Sequence, residues 1–258
     1  MEAKVAQGGF SMGWPAWIFE QMFAVHDQLF ANSDNGRKGL ATEVYINSAF
    51  GQMVMTEWQK MAKEKVLVYG GREYAANDPF LAGKFPFLFQ STSSLGGIEK
   101  SAKFKVGTAN LPRFEGNYGV GNSVVGGGCL WVMNKATPEQ QKVAWEFFKF
   151  TFSVAEASSW HKETGYFPVS VSSYEALKKD GWFDKNPNFN TAFNQILTGK
   201  DTIAGNGVLL GNFVQIRDIV GIAIEDVVVN NVAVKTALDK ATADTNKVLK
   251  DYAQLMGK

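Results

Sequence analysis

The chain holds one cysteine in 258 residues, Cys129, so no intrachain disulfide can form. Its two histidines, His26 and His161, stand far apart and supply no cluster with zinc-ligand spacing. No stretch approaches the roughly 18 consecutive apolar residues of a membrane span. The opening Met-Glu-Ala-Lys-Val-Ala-Gln-Gly-Gly lacks the basic, apolar and small-residue order of a secretory signal. As it stands, the sequence is expected neither to enter a membrane nor to direct its own export.

Charge of either sign is also missing in excess. Lys plus Arg number 26 against 25 for Asp plus Glu, with no long basic run, which argues against nucleic acid as a partner. An anionic ligand would need a local site. Catalytic signatures are absent as well. There is no Gly-x-Ser-x-Gly nucleophile motif, and neither histidine has a Ser or Cys partner at local spacing. Gly116, Gly119, Gly121 and Gly126 to Gly128 suggest a phosphate loop, but Val124 breaks Gly-x-Gly-x-x-Gly and no Gly-Lys-Ser/Thr follows. Glu225 and Asp226, adjacent on a helix, point to different sides and form no acid–base couple. No enzyme, cofactor or metal is expected.

What is present is a chain 45% hydrophobic and 20% charged, enough for one large core or two smaller ones. Periodicity predicts helices over about 15–31, 48–65, 188–198, 213–229 and 234–256. Phe85 to Phe89 reads as a short buried strand, and Ser91 to Ser94 follow where a helix start needs caps. The apolar run Val124 to Met133, interrupted by three glycines, reads as another strand. Thr137-Pro138-Glu139-Gln140 places cap, first-turn proline and capping-box glutamine in register; Ser153 and Glu156 repeat the box for a helix that Gly165 and Pro168 end. Strands interleaved with helices make the class α/β.

Several residues carry two readings. The Ser-rich turn caps a helix or offers hydroxyl and N–H donors to an anion. Arg217, on an apolar-periodic helix, pairs with a nearby acid or holds a ligand's phosphate. Trp14, Trp17 and Tyr166 belong to the core or line a polyol site.

Three segments then carry a resemblance: Gly126-Gly127-Gly128-Cys129-Leu130-Trp131-Val132-Met133; Trp160-His161-Lys162-Glu163-Thr164-Gly165-Tyr166-Phe167-Pro168-Val169; and Leu210-Gly211-Asn212-Phe213-Val214-Gln215-Ile216-Arg217. Together with Ser11 to Trp17, they resemble, in order, the sn-glycerol-3-phosphate-binding group of the family 1 extracellular solute-binding proteins. The resemblance implies a type II periplasmic-binding-protein fold, here incomplete and mostly the C-terminal lobe. It assigns about 1–127 and 178–258 to that lobe and 128–177 to a crossing segment of the N-terminal lobe. It implies a periplasmic parent that hands sn-glycerol 3-phosphate or a related phosphate ester to the membrane permease of an ABC importer. Ligand contacts then fall on Ser91, Gly127, Tyr166 and Arg217, with Trp14 and Trp17 near the cleft. The export signal and the N-terminal lobe that the family carries have no counterpart in this sequence. Three alternatives stay open: an oligosaccharide or polyol receptor, an enzyme of small phosphate esters, and a fragment that binds nothing by itself. If its sheet is absent, the helix from Pro138 is expected to expose Val143, Phe147 and Phe150.

Overall fold

A computed structural model describes residues 7–257. Along the chain the elements are β1 (Phe10–Met12), α1 (Pro15–Val25), α2 (Ala49–Lys63), α3 (Asn77–Leu81) and β2 (Phe87–Phe89). They continue with α4 (Leu95–Ser101), α5 (Pro138–Thr151), α6 (Val154–Thr164), α7 (Val171–Lys179), α8 (Trp182–Lys185), α9 (Thr191–Thr198), α10 (Phe213–Val228) and α11 (Val234–Leu255). Two compact units share them. The first takes the chain up to Gln90, Leu111–Val124 and everything from Gln195; the second takes Ser91–Asn110 and Val125–Asn194.

In the first unit, β1 and β2 pair in parallel with Phe10 opposite Phe87 and Met12 opposite Phe89. Helix α1 is buried on every side except at Trp17, the mark of a central helix; α2 and α10 pack against it, and α11 packs on those two. Phe19, Phe23, Phe30, Phe50 and Trp58 meet edge to face in this core. The helix stops at Val25 rather than near 31 because Asp27 turns the backbone left-handed, at φ 54°. The five residues Asn32–Gly36 close helix-type hydrogen bonds, yet Ser33, Asp34 and Asn35 are left-handed, with φ of 53–55°. Buried Asn35 holds this turn: its Oδ1 accepts from the N–H groups of Phe30 and Ala31, and its Nδ2 donates to the Gly207 carbonyl.

In the second unit, Leu95, Leu177, Phe183, Phe189 and Phe193 form a separate, smaller core. The cap signals read from sequence hold here, with one exception. Thr137 and Gln140 complete the capping box of α5, and Gly165 ends α6 in the left-handed conformation at φ 74°; at the start of α6 only half of the expected box forms, Ser153 Oγ accepting from Glu156 N–H while Ser153 N–H donates to the Phe150 carbonyl. Two strand expectations need correction. The first concerns the Phe85 to Phe89 segment, where only Phe87–Phe89 is strand and Phe87 is 66% exposed, because β2 lies at the edge of a two-stranded sheet. The second concerns 124–133, which forms no strand among the described residues and exposes Leu130, Trp131, Val132 and Met133. A strand needs a neighbour for its N–H and C=O groups, and three successive glycines resist ordering without one.

Both histidines are core residues. His26 Nδ1 lies 2.7 Å from the Met22 carbonyl and Nε2 accepts from Phe114 N–H at 2.8 Å, so the neutral ring with its proton on Nδ1 is the form that fits. His161 Nδ1 lies 2.8 Å from the Tyr166 carbonyl, while its buried Nε2 has no partner among the described residues. Desolvation is the chief cause that lowers both pKa values below the ordinary 6.5. Below that pH the unfolded chain binds more protons than the folded one. The histidine contribution is therefore whole above pH 6.5 and lost as pH falls through the lowered folded values. Urea unfolding is expected to show lower stability at about pH 5.5 than at about 7.5; a flat profile across that interval would refute the assignment.

Candidate functional site

The sequence-predicted residues divide between the units, three to each. In the first, Trp14 caps α1 in a left-handed conformation with φ 52°, its N–H donating to Glu73 O and its ring set edge-on to Tyr74 at 5.2 Å. Gly13 allows this turn, since a Cβ there would lie 2.7 Å from the Glu73 carbonyl oxygen and closer still to the Gln90 side chain. Trp17 is half-buried against the core one turn further on, and Glu20, another three residues along, shares that side of α1.

Arg217 sits near the start of α10 and meets Glu20. Its Nε donates to Oε1 at 2.8 Å and its Nη2 to Oε2 at 2.9 Å, a bidentate pair. The Glu20 side chain is 8% exposed and that of Arg217 40%, so the carboxylate is sealed while the guanidinium reaches solvent. The Arg217 plane also lies over the Phe213 ring, 4.5 Å from its centroid. Burial pushes the Glu20 carboxyl up and the Arg217 donors oppose it; the same hydrogen bonds raise Arg217. The ionised pair is the state that this geometry fits, because a two-pronged acceptor must be a carboxylate. Nη1 has no partner among the described residues.

Glu20 did not emerge from the sequence reading, although a signal was there. It is an acid in the apolar run Ile18-Phe19-Glu20-Gln21-Met22-Phe23, and Arg217 is a base in an equally apolar helix. Two opposite charges stranded on buried helices find each other, since neither is tolerated alone. A second, more exposed cluster has the same logic: Arg72 grips Glu225 at 2.6 and 2.8 Å, and Tyr69 Oη donates to the same carboxylate at 2.6 Å. Arg72 is the main cause that holds Glu225 below the usual carboxylate range.

In the second unit the Ser-rich turn acts as a cap. Ser91 Oγ accepts from Ser93 N–H at 3.3 Å and from Ser93 Oγ at 3.0 Å, opening a 3₁₀ turn at Thr92–Ser94 that runs into α4. Gly165 lies directly on that turn: a Cβ there would stand 2.4 Å from the Thr92 carbonyl oxygen, and φ 74° excludes most side chains anyway. The next residue, Tyr166, is thereby placed beside the Ser-rich turn with its side chain partly exposed. Gly127 faces the same tyrosine, its Cβ direction ending 4.0 Å from Tyr166 Cε1. Ser91, Gly127 and Tyr166, separated by up to 75 residues in sequence, thus lie in one neighbourhood. Among the described residues no group of three His, Cys, Asp or Glu side chains is arranged to hold a metal, and no helix is long and apolar enough to cross a membrane.

A family profile described as bacterial extracellular solute-binding protein matches residues 1–191. The sn-glycerol-3-phosphate-binding periplasmic protein UgpB of Agrobacterium fabrum is 32% identical over 249 residues, which cover 96% of this chain and 57% of that protein. UgpB of Rhizobium meliloti is 32% identical, covering 93% and 56%. The chain thus spans little more than half the length of these relatives. Among solved structures, UgpB from Mycobacterium tuberculosis in complex with glycerophosphocholine matches with a TM-score of 0.69 at 16% identity, over 96% of this chain and 59% of the other. The sugar-binding protein MalE from Xanthomonas citri matches with a TM-score of 0.67 at 15% identity, over 99% and 62%. The fold is therefore that of a periplasmic binding protein, in part.

Proposed function

We propose, from the premise that this chain belongs to the family of bacterial extracellular solute-binding proteins, that it is the ligand-capturing part of an ABC importer's receptor. Its ligand, on this reading, is a glycerol phosphate ester, sn-glycerol 3-phosphate or a glycerophosphodiester. The observation that carries the choice is Arg217, a half-exposed guanidinium with unused donors beside an aromatic ring. Glu20 takes only part of the guanidinium's donor edge, and a phosphate meets the rest with charged oxygens that a neutral sugar lacks. Ser91 and the Gly127 N–H serve as neutral donors, Tyr166 bonds an ester or glycerol oxygen, and Trp14 and Trp17 supply apolar faces. The parent works in the periplasm and delivers ligand to a membrane permease; it holds the ester and does no chemistry on it. About 1–127 and 178–258 belong to the C-terminal lobe and 128–177 crosses into the N-terminal one.

The test is a titration of intrinsic tryptophan fluorescence with sn-glycerol 3-phosphate, glycerophosphocholine, glycerol and maltose, on this chain and on Arg217→Lys. Saturable change with a phosphate ester alone is expected, weakened roughly tenfold in the lysine variant, which keeps the charge but loses the fork. Saturation by maltose instead would make the protein an oligosaccharide receptor. Silence with every ligand would mean that this stretch of chain does not capture one.

A further inference from the structure

The reading of Arg217 as a phosphate-binding residue leaves the charge of that phosphate open, and Glu20 bears on it. Glu20 is a buried acid fixed against the very group proposed to hold the ligand. It occupies Nε and one N–H of Nη2, so of the five guanidinium donors three remain, two on Nη1 and one on Nη2. The remaining edge suits one pair of oxygens, which accounts for both non-bridging atoms of a phosphodiester and leaves the third oxygen of a phosphomonoester without an arginine donor.

Electrostatics points the same way. An uncompensated arginine attracts a dianion twice as strongly as a monoanion. The cost of desolvating the ligand grows as the square of its charge, about fourfold from one charge to two in the Born limit. With Glu20 beside it, Arg217 is half of a neutral pair. Most of the extra attraction for a dianion is cancelled, and its extra desolvation cost stays. We propose that Glu20 makes the Arg217 site selective for a singly charged phosphodiester over a doubly charged phosphomonoester. Glu20 acts here through Arg217, as a positioning and charge-compensating residue.

Calorimetric titration of the whole chain tests this with two ligands that share one glycerol phosphate moiety, sn-glycerol 3-phosphate and glycerophosphoglycerol. At about pH 7.5 the first is mostly a dianion, its second pKa lying near 6, and the second a monoanion. The wild type is expected to bind the diester roughly tenfold more tightly, and Glu20→Gln to erase that ratio by improving the monoester. A purely structural role for Glu20 would weaken both ligands together and leave the ratio unchanged, which overturns the inference while leaving the receptor reading intact. A wild type that favours the monoester overturns it too, and decides the matter even if the variant does not fold. Failure of both ligands to bind the wild type would remove the phosphate reading of Arg217 and this inference with it.

Discussion

Replacing Arg217 with alanine is expected to lower the unfolding free energy by about 2–3 kcal/mol, and adding Glu20→Gln to that variant to restore part of the loss. Breaking a buried ion pair costs more than removing it, because the surviving charge has lost both water and partner; about 3–5 kcal/mol is usual for a sealed pair, discounted here for the exposure of Arg217. In Arg217→Ala the orphaned Glu20 carboxyl, already pushed up by burial, rises further. A carboxyl whose folded pKa lies above its unfolded value makes stability fall as pH rises from about 4.5 through the folded pKa. The deficit should therefore be small near pH 4.5 and grow toward neutrality. Urea unfolding of the single and double variants at both ends of that range reads all of this. A double variant less stable than Arg217→Ala would show that the pair is a net stabiliser rather than a compensated charge.

The second large effect concerns α5. None of its residues is buried, and Val143, Phe147 and Phe150, spaced to share one face, are 70%, 52% and 56% exposed. Trp131, Met133, Trp145 and Trp160 of the same unit are more than half exposed as well. Apolar surface on this scale drives association. Sedimentation velocity should show the wild type self-associating as concentration rises. Val143→Glu, Phe147→Glu and Phe150→Glu together should weaken that association by at least tenfold, about 1.4 kcal/mol. Glutamate keeps the helix propensity of these positions, so circular dichroism should be unchanged. A wild type that stays monomeric up to about 100 μM, well above ordinary micromolar association, would count against an open apolar face.

Legibility in the sequence followed the range of the interactions. The caps of α5 and the glycine end of α6 were readable because a cap is a bargain among neighbours: Thr137 with Gln140, Ser153 with Glu156, Gly165 with His161. Helix α7 was missed although Ser170 caps it by accepting from Ser173 N–H, since Pro168 two residues earlier reads as the end of order. The 124–133 segment has strand composition, but whether it becomes a strand depends on a partner edge that no local pattern contains. The site behaved likewise. Arg217 stood out as a charge on an apolar-periodic helix, while Gly127 and Tyr166 were joined to Ser91 only through the family resemblance. The carboxylate that answers Arg217 lies 197 positions away, and the contact of Gly165 with Thr92 joins segments more than 70 residues apart. Such pairings belong to packing, which periodicity does not encode.

The first unit draws on both ends of the chain, with α1 and α2 from the beginning and α10 and α11 from the end. A polypeptide leaves the ribosome from its N-terminus at about 5–20 residues per second, so the roughly 190 residues between the end of α1 and the start of α10 take about 10–40 s to appear. Throughout that interval α1 and α2 are without α10 and α11, and the acid Glu20 is without Arg217. The nascent chain thus carries a principal nucleus that cannot close until α10 and α11 emerge. For this topology the first core stays open until α10 and α11 have been made, and a chaperone that holds exposed phenylalanines has tens of seconds in which to find them.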